Sequence, residues 1–289
     1  MPQKRKVPSS RHDNPHVTYW VGVAIILCVI VFGVFRGLYV KYAHYSALIQ
    51  PPGLPIPARN SRRLKIPIVM YHYVEYLTDP NDTKRKSLSI NPNTLEAEIR
   101  ALNEAKYRTF FVREVPHILD GSIPYTKKNV VLTFDDGYSD FYTSVLPLLK
   151  KYHVKATVYV INHYIGRTGF LSQQQLEQIR DSGLVEIGAH TLDHAYLKDM
   201  TDETAFQQMR ESKVDLEKRL GIRVQTVAYP YGAFTARTLP LTRKAGFSAA
   251  VSVIPGAMQT QDNILYLYRI RSGYFGGSSI VSQLEQWVR

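Results

Sequence analysis

Cysteine is almost absent: Cys28 is the only one in 289 residues. No intrachain disulfide can form, and no cysteine-based metal site can be assembled. Histidine is missing from the last third of the chain, since none of the nine histidines follows His194. Acidic residues are scarce at the N-terminus, where Asp13 is the one carboxylate against ten Lys and Arg in residues 1–65. The formal charge of +12 therefore belongs mostly to that segment, and residues 66–289 carry only +3. A nucleic-acid-binding domain needs its basic face on the folded part, so no nucleic-acid partner is expected. With 45% hydrophobic and 21% charged residues, the chain is neither collagen-like nor disordered throughout.

Charge is absent altogether from Val17 to Phe35, VTYWVGVAIILCVIVFGVF. At 1.5 Å per residue a helix of that length covers about 28 Å, the hydrocarbon thickness of a bilayer. Tyr19, Trp20 and Tyr39 suit the aromatic interface belts. The run is longer than a signal-peptide core and no small-residue cleavage site follows it, which favours an uncleaved anchor over a removed leader. Lys4, Arg5, Lys6 and Arg11 precede the span and only Arg36 and Lys41 follow it closely. That asymmetry places the N-terminus inside and the rest outside. The expected organisation is a cytoplasmic basic tail (1–16), a transmembrane anchor (17–35), a Pro-rich and basic linker (36–65) and an extracellular domain (66–289). The protein would be a single-pass protein of the cell membrane. Four prolines in residues 50–58 predict a semi-rigid spacer holding the domain roughly 25–30 Å from the anchor.

Beyond residue 65, apolar runs with strand character alternate with helical periodicity. Strands are expected at 66–71, 129–134, 155–161, 185–189, 224–229, 248–253 and near 265–270. Helices are expected around Leu95–Leu102, Tyr142–Tyr152, 172–182, 206–220, 235–245 and from Ser279. Repeated β-then-α units imply an α/β fold with a parallel sheet, and 224 residues suit a barrel of such units.

Two motifs sit at the ends of expected strands. Thr133-Phe134-Asp135-Asp136-Gly137 follows the strand 129–134. Adjacent side chains diverge there, so one carboxylate can bind a metal while its neighbour faces a substrate. His190-Thr191-Leu192-Asp193-His194 follows the strand 185–189. Two histidines four apart face one ion if the segment turns helically. Both motifs fall on the face where parallel barrels carry their catalysis. An aspartate with two histidines and an open position is a hydrolytic metal set.

Together the two motifs resemble the polysaccharide deacetylase domain of carbohydrate esterase family four, over roughly residues 66–289. The resemblance implies a distorted (β/α) barrel, here expected to follow one transmembrane helix, and metal-dependent removal of acetyl groups from sugars. By matching position it implies Asp135 as general base and Asp136, His190 and His194 as ligands of a divalent ion, with Zn2+ expected. A third family motif corresponds to Ala228-Tyr229-Pro230-Tyr231-Gly232 and would place the Tyr231 N–H near the oxyanion. Two departures stand out: Ala228 replaces the motif's arginine, and the usual C-terminal histidine is missing. However, Met70-Tyr71-His72 near the start of the domain, with Ala228–Gly232, resembles the branch containing poly-β-1,6-N-acetylglucosamine deacetylases. There the acid histidine comes from the N-terminal strand, which points to His72, and a late arginine supports the base, which points to Arg269. Tyr71, Tyr73 and Tyr138 lie beside the motifs without an assigned role.

The expected activity is removal of N-acetyl groups from N-acetylglucosamine units of a cell-surface or extracellular polysaccharide. Its rivals are a deacetylase of peptidoglycan, chitin-like chains or O-acetylated xylan, and an inactive membrane-tethered glycan-binding protein.

Overall fold

The computed structural model of the protein describes residues 51–289 apart from 52, 80 and 273–278. The expected anchor and basic tail lie outside the described residues. Among the described residues, no helix is long and apolar enough to cross a membrane.

The described strands are β1 (Leu64–Lys65), β2 (Ile68–Tyr71), β3 (Tyr73–Val74), β4 (Ser89–Ile90), β5 (Arg108–Phe110) and β6 (Asn129–Phe134). They continue as β7 (Ala156–Val160), β8 (Val185–Ala189), β9 (Thr226–Ala228), β10 (Ala249–Pro255), β11 (Met258–Gln259) and β12 (Leu267–Arg271). Seven of them, in the order β2-β12-β10-β9-β8-β7-β6, pair in parallel, and β2 returns to β6 to close a barrel. β6 reads NVVLTF and is buried at all its positions, as a parallel strand covered on both faces must be. Its first half pairs with β5 and its second half with β2, through Ile68↔Val131 to Tyr71↔Phe134. The α/β barrel expected from the alternating pattern is therefore present.

The barrel is distorted at two seams. β8 and β9 pair only at Ala189↔Val227. The β10–β12 register shifts between Val251 and Pro255. Outside the sheet the helices begin and end on local chemistry. Ser172 and Gln175 form a reciprocal capping box at the start of Gln173–Asp181. The helix Asp202–Leu220 is capped by Thr201 and carries Asp202 and Glu203 in its first turn. Lys218 and Arg219 sit in its last turn, before Gly221 in the left-handed conformation. Acids at the N-terminus and bases at the C-terminus suit the helix dipole.

The Pro-rich stretch does not serve as a free spacer. Tyr266 donates its hydroxyl to the Pro55 carbonyl at 2.6 Å. The Ala58 N–H reaches Asp262 at 2.9 Å, and β1 pairs antiparallel with β11. The compact unit holding the barrel runs from Gln50 to Arg289. Prolines fix the chain in an extended form whose carbonyls remain good acceptors, and here Tyr266 supplies a donor while Asp262 accepts from the stretch's own Ala58 N–H.

Candidate active site

Five barrel strands carry the residues singled out from the sequence to one end of the barrel. His72 follows β2, Asp135 and Asp136 follow β6, His190 and His194 follow β8, Tyr231 follows β9, and Arg269 lies in β12. All of these except the wholly buried Arg269 line one cavity of about 520 Å3, together with Tyr73, Tyr138 and Arg271 among others.

Asp135 and Arg269 form the buried half of the site. The Asp135 N–H continues the β2–β6 ladder to the Tyr71 carbonyl at 3.0 Å, which fixes the backbone just past the strand. Arg269 holds both carboxylate oxygens, Nη1 to Oδ1 at 2.8 Å and Nη2 to Oδ2 at 2.7 Å. Its Nε donates to the Ser252 carbonyl at 2.7 Å, and Nη1 also reaches the Thr133 hydroxyl at 3.1 Å. Arg269 is 1% exposed and Asp135 4%, so the pair is shielded from water. Burial pushes the Asp135 carboxyl up, but the Arg269 guanidinium overrides it and holds the group below the usual carboxylate value. Asp135 is thus kept ionised.

Asp136 turns the other way. Its φ of +77° reverses the chain, and Gly137 continues in the left-handed region at +74°. Asp136 Oδ1 lies 3.1 Å from His190 Nε2 and 3.2 Å from His194 Nε2. One donor atom from each of the three residues lies within 4.8 Å of the others. Where the β8–β9 ladder stops, His190 Nδ1 bonds instead to the Ala228 carbonyl at 2.7 Å. A carbonyl only accepts, so Nδ1 carries a proton and Nε2 is the nitrogen turned to Asp136; the hydrogen bond between them raises the imidazole above its ordinary value against the effect of burial. Two imidazole nitrogens and a carboxylate oxygen at these separations form a donor set for a borderline divalent ion such as zinc. The residues present fit a metal.

The His190–His194 segment differs from the expected helical turn. Thr191 (φ +63°) and His194 (φ +61°) are left-handed, and the Thr191 hydroxyl accepts the Ala195 N–H at 2.9 Å. The histidines converge through this tight turn and not through helical spacing. A left-handed threonine is unfavourable for a β-branched side chain. Of six non-glycine residues with positive φ among the described residues, Asp136, Thr191, His194 and Tyr231 belong to this site. Local strain of about 1–3 kcal/mol each is concentrated where side chains must converge.

His72 lines the same cavity, outside the three-residue donor set. Burial pushes its imidazole below the ordinary value, against the pull of Asp135 and Asp136. A lowered value makes the imidazolium a stronger acid towards a leaving group but less populated at neutral pH. Tyr231 (φ +59°) sits in a short turn after β9 and is 55% exposed, its ring 4.3 Å from that of His194.

Sequence reasoning left other parts of the site without a role. Tyr73 stacks on Tyr138 at 3.8 Å, and the Arg85 guanidinium lies 4.4 Å from the Tyr73 ring. Glu75 holds Arg85 through two bonds of 2.5 and 2.7 Å. The helix Thr83–Leu88 and the two-residue strands β3 and β4 that bring these groups in are too short to leave a periodic signal. Thr133 was visible as part of its motif. Its second task, donating to the Val69 carbonyl at 2.8 Å while accepting from Arg269, requires the closed barrel.

With the geometry in place, comparison with known proteins gives the class. A family model described as polysaccharide deacetylase matches residues 122–250. The structure of the Streptococcus pyogenes deacetylase PplD, in complex with acetate, is 30% identical, with a TM-score of 0.71 over 78% of this chain and 99% of that one. A polysaccharide deacetylase from Bacillus cereus is 25% identical with a TM-score of 0.67, over 78% of this chain and 70% of its own. The Staphylococcus aureus poly-beta-1,6-N-acetyl-D-glucosamine N-deacetylase is 25% identical over 244 residues, 80% of each chain. This chain belongs to the polysaccharide deacetylase family, carbohydrate esterase family four, whose members hydrolyse N-acetyl groups.

Proposed function

We propose that the protein removes N-acetyl groups from N-acetylglucosamine units of a cell-surface or extracellular polysaccharide. The observation that carries this reading is the division of two adjacent carboxylates. Asp135 is locked to a buried arginine and kept ionised, while Asp136 faces two histidines as a metal-binding set. Likeness to the Staphylococcus aureus poly-beta-1,6-N-acetyl-D-glucosamine N-deacetylase supports the substrate class.

In this reading Asp136, His190 and His194 hold a divalent ion, zinc by the donor set, which when bound supplies Lewis acidity to the acetyl carbonyl and to water. Asp135 takes the proton of the attacking water, and Arg269 fixes the carboxylate's direction and charge. The Tyr231 N–H donates to the oxygen that gains negative charge. His72 gives a proton to the departing sugar nitrogen, because an amide nitrogen leaves poorly without one. The products are acetate and a glucosamine unit.

The membrane anchor at Val17–Phe35, with the catalytic domain outside, belongs to the same proposal, since it would place the site where such polysaccharides are. Protease added to intact cells should then digest the barrel and spare the N-terminus. A mature chain starting after residue 36 would contradict the anchor. For the activity, the test is product analysis with metal-loaded protein on β-1,6- and β-1,4-linked N-acetylglucosamine oligomers. Loss of acetyl groups from either linkage supports deacetylation, and preference for the β-1,6 linkage supports the substrate class. Release from acetylated xylan alone would assign the site to ester hydrolysis.

A further inference from the structure

Tyr196 and Tyr231 are two of the few large apolar side chains that remain exposed among the described residues, at 43% and 55%. They are neighbours in space although 35 positions apart, with ring centroids 5.0 Å apart and planes inclined by 38°. The Tyr231 ring in turn lies 4.3 Å from the ring of His194. A continuous row of rings therefore leads from the metal-binding set outward. Tyr231 lines the catalytic cavity, whereas Tyr196 lies one ring beyond its lining. Lys198 Nζ stands over one face of the Tyr196 ring at 5.1 Å.

The turn after β9 puts Tyr231 in the left-handed region, which costs a non-glycine residue about 1–2 kcal/mol. The ring itself stays more than half exposed. The exposed area is also too small for a protein partner. Two tyrosines of about 150–250 Å2 each, half exposed, offer on the order of 200 Å2. A stable protein interface needs about 800 Å2 from each side. A sugar ring matches both the size and the chemistry. Its C–H face is weakly positive and apolar and suits the negative face of an aromatic ring, while its hydroxyls stay in water.

We infer that Tyr196, with the side chain of Tyr231, forms a stacking subsite for the glycan unit next to the one being deacetylated. This inference rests on the glycan-deacetylase reading. It makes the enzyme one that prefers a chain over a single sugar, because a monosaccharide in the catalytic cavity cannot reach Tyr196.

The test uses the full chain, metal-loaded, with N-acetylglucosamine monomer and pentamer. Calorimetry follows pentamer binding, and acetate release gives kcat and KM. Tyr196→Ala should weaken pentamer binding and raise its KM by about three- to tenfold, the scale of one aromatic contact. The monomer's KM and the pentamer's kcat should stay as in the wild type, and Tyr196→Phe should restore binding, since the ring and not the hydroxyl does the work. Equal pentamer binding by wild type and Tyr196→Ala would overturn the subsite. A loss shared equally by monomer and pentamer would do the same. The two readings can fail separately: Tyr196-dependent binding without acetate release would leave the subsite standing and remove the deacetylase assignment.

Discussion

Replacing Arg269 by Met tests the link between the fold and the proposed base. The guanidinium makes four hydrogen bonds, two of them to Asp135, and both residues are almost wholly buried. Breaking a buried ion pair by removing one partner typically costs 3–5 kcal/mol, because the other charge is left without compensation. Arg269→Met should therefore lower the unfolding free energy by about 3–5 kcal/mol at neutral pH. The pH dependence follows from the direction of the Asp135 shift. Its folded value is depressed, so its contribution to stability is present above the unfolded value of about 3.9 and is lost as pH falls through the folded value. The deficit of Arg269→Met should be largest at neutral pH and shrink in acid. With the arginine gone, burial is opposed only by the weaker pull of His190 and His72, the carboxyl titrates higher, and the acidic limb of the activity profile should move to higher pH. The assay is denaturant unfolding across pH for both single variants, Arg269→Met and Asp135→Asn, and for the double variant. A neutral amide needs no counter-charge, so the double variant should be at least as stable as Arg269→Met alone. Additive losses with an unmoved acidic limb would refute the claim that Arg269 acts through Asp135.

Three further outcomes are expected. Replacing Asp136, His190 or His194 singly by Asn or Ala should sharply reduce zinc affinity measured by competition with a chelating dye, whereas Asp135→Asn should retain it; reversed behaviour of the two aspartates would exchange their roles. His72→Ala should lower turnover of a sugar amide by about 10²–10⁴-fold and largely spare an activated aryl acetate, since that leaving group needs no proton. Equal losses with full metal occupancy would make His72 a positioning or structural residue. Glu98, pushed up to about 7 by burial against the opposing hydrogen bond from Tyr71, is charged at a cost in the folded barrel. Wild-type stability should thus fall between about pH 4.5 and 7, and Glu98→Gln should be more stable above pH 7 by on the order of 1–3 kcal/mol, as judged by denaturant midpoints; a pH-independent difference would show that Glu98 titrates normally.

Much of this architecture was legible because the barrel strands are unbroken apolar runs. NVVLTF and VEIGA occupy β6 and β8 at the expected limits, and the helices expected after Ser172 and from about Ser279 are present. The short elements were not legible. β3, β4 and the helix Thr83–Leu88 are set by contacts such as Arg85 with Glu75 and Tyr73, which link positions with no periodic relation. The site motifs were readable as residue types at strand ends, but their geometry was not. The helical turn expected between His190 and His194 gives way to left-handed residues held by the Thr191 hydroxyl, a tertiary solution that local propensity disfavours. The pairing of Arg269 with Asp135, 134 positions apart, was expected only through family resemblance, because no rule of spacing joins β6 to β12.

The most direct test of the central claim is acetyl content by mass spectrometry of an N-acetylglucosamine pentamer incubated with the full chain. Three samples decide it: zinc-loaded wild type, the same protein after chelation, and zinc-loaded Asp135→Asn with its metal content measured in parallel. The account predicts acetyl loss in the first sample, its disappearance on chelation, and almost none with Asp135→Asn although the zinc remains bound. An intact pentamer with fully loaded wild type would contradict deacetylation. Undiminished loss after chelation, or with Asp135→Asn, would contradict the division of labour between Asp136 and Asp135.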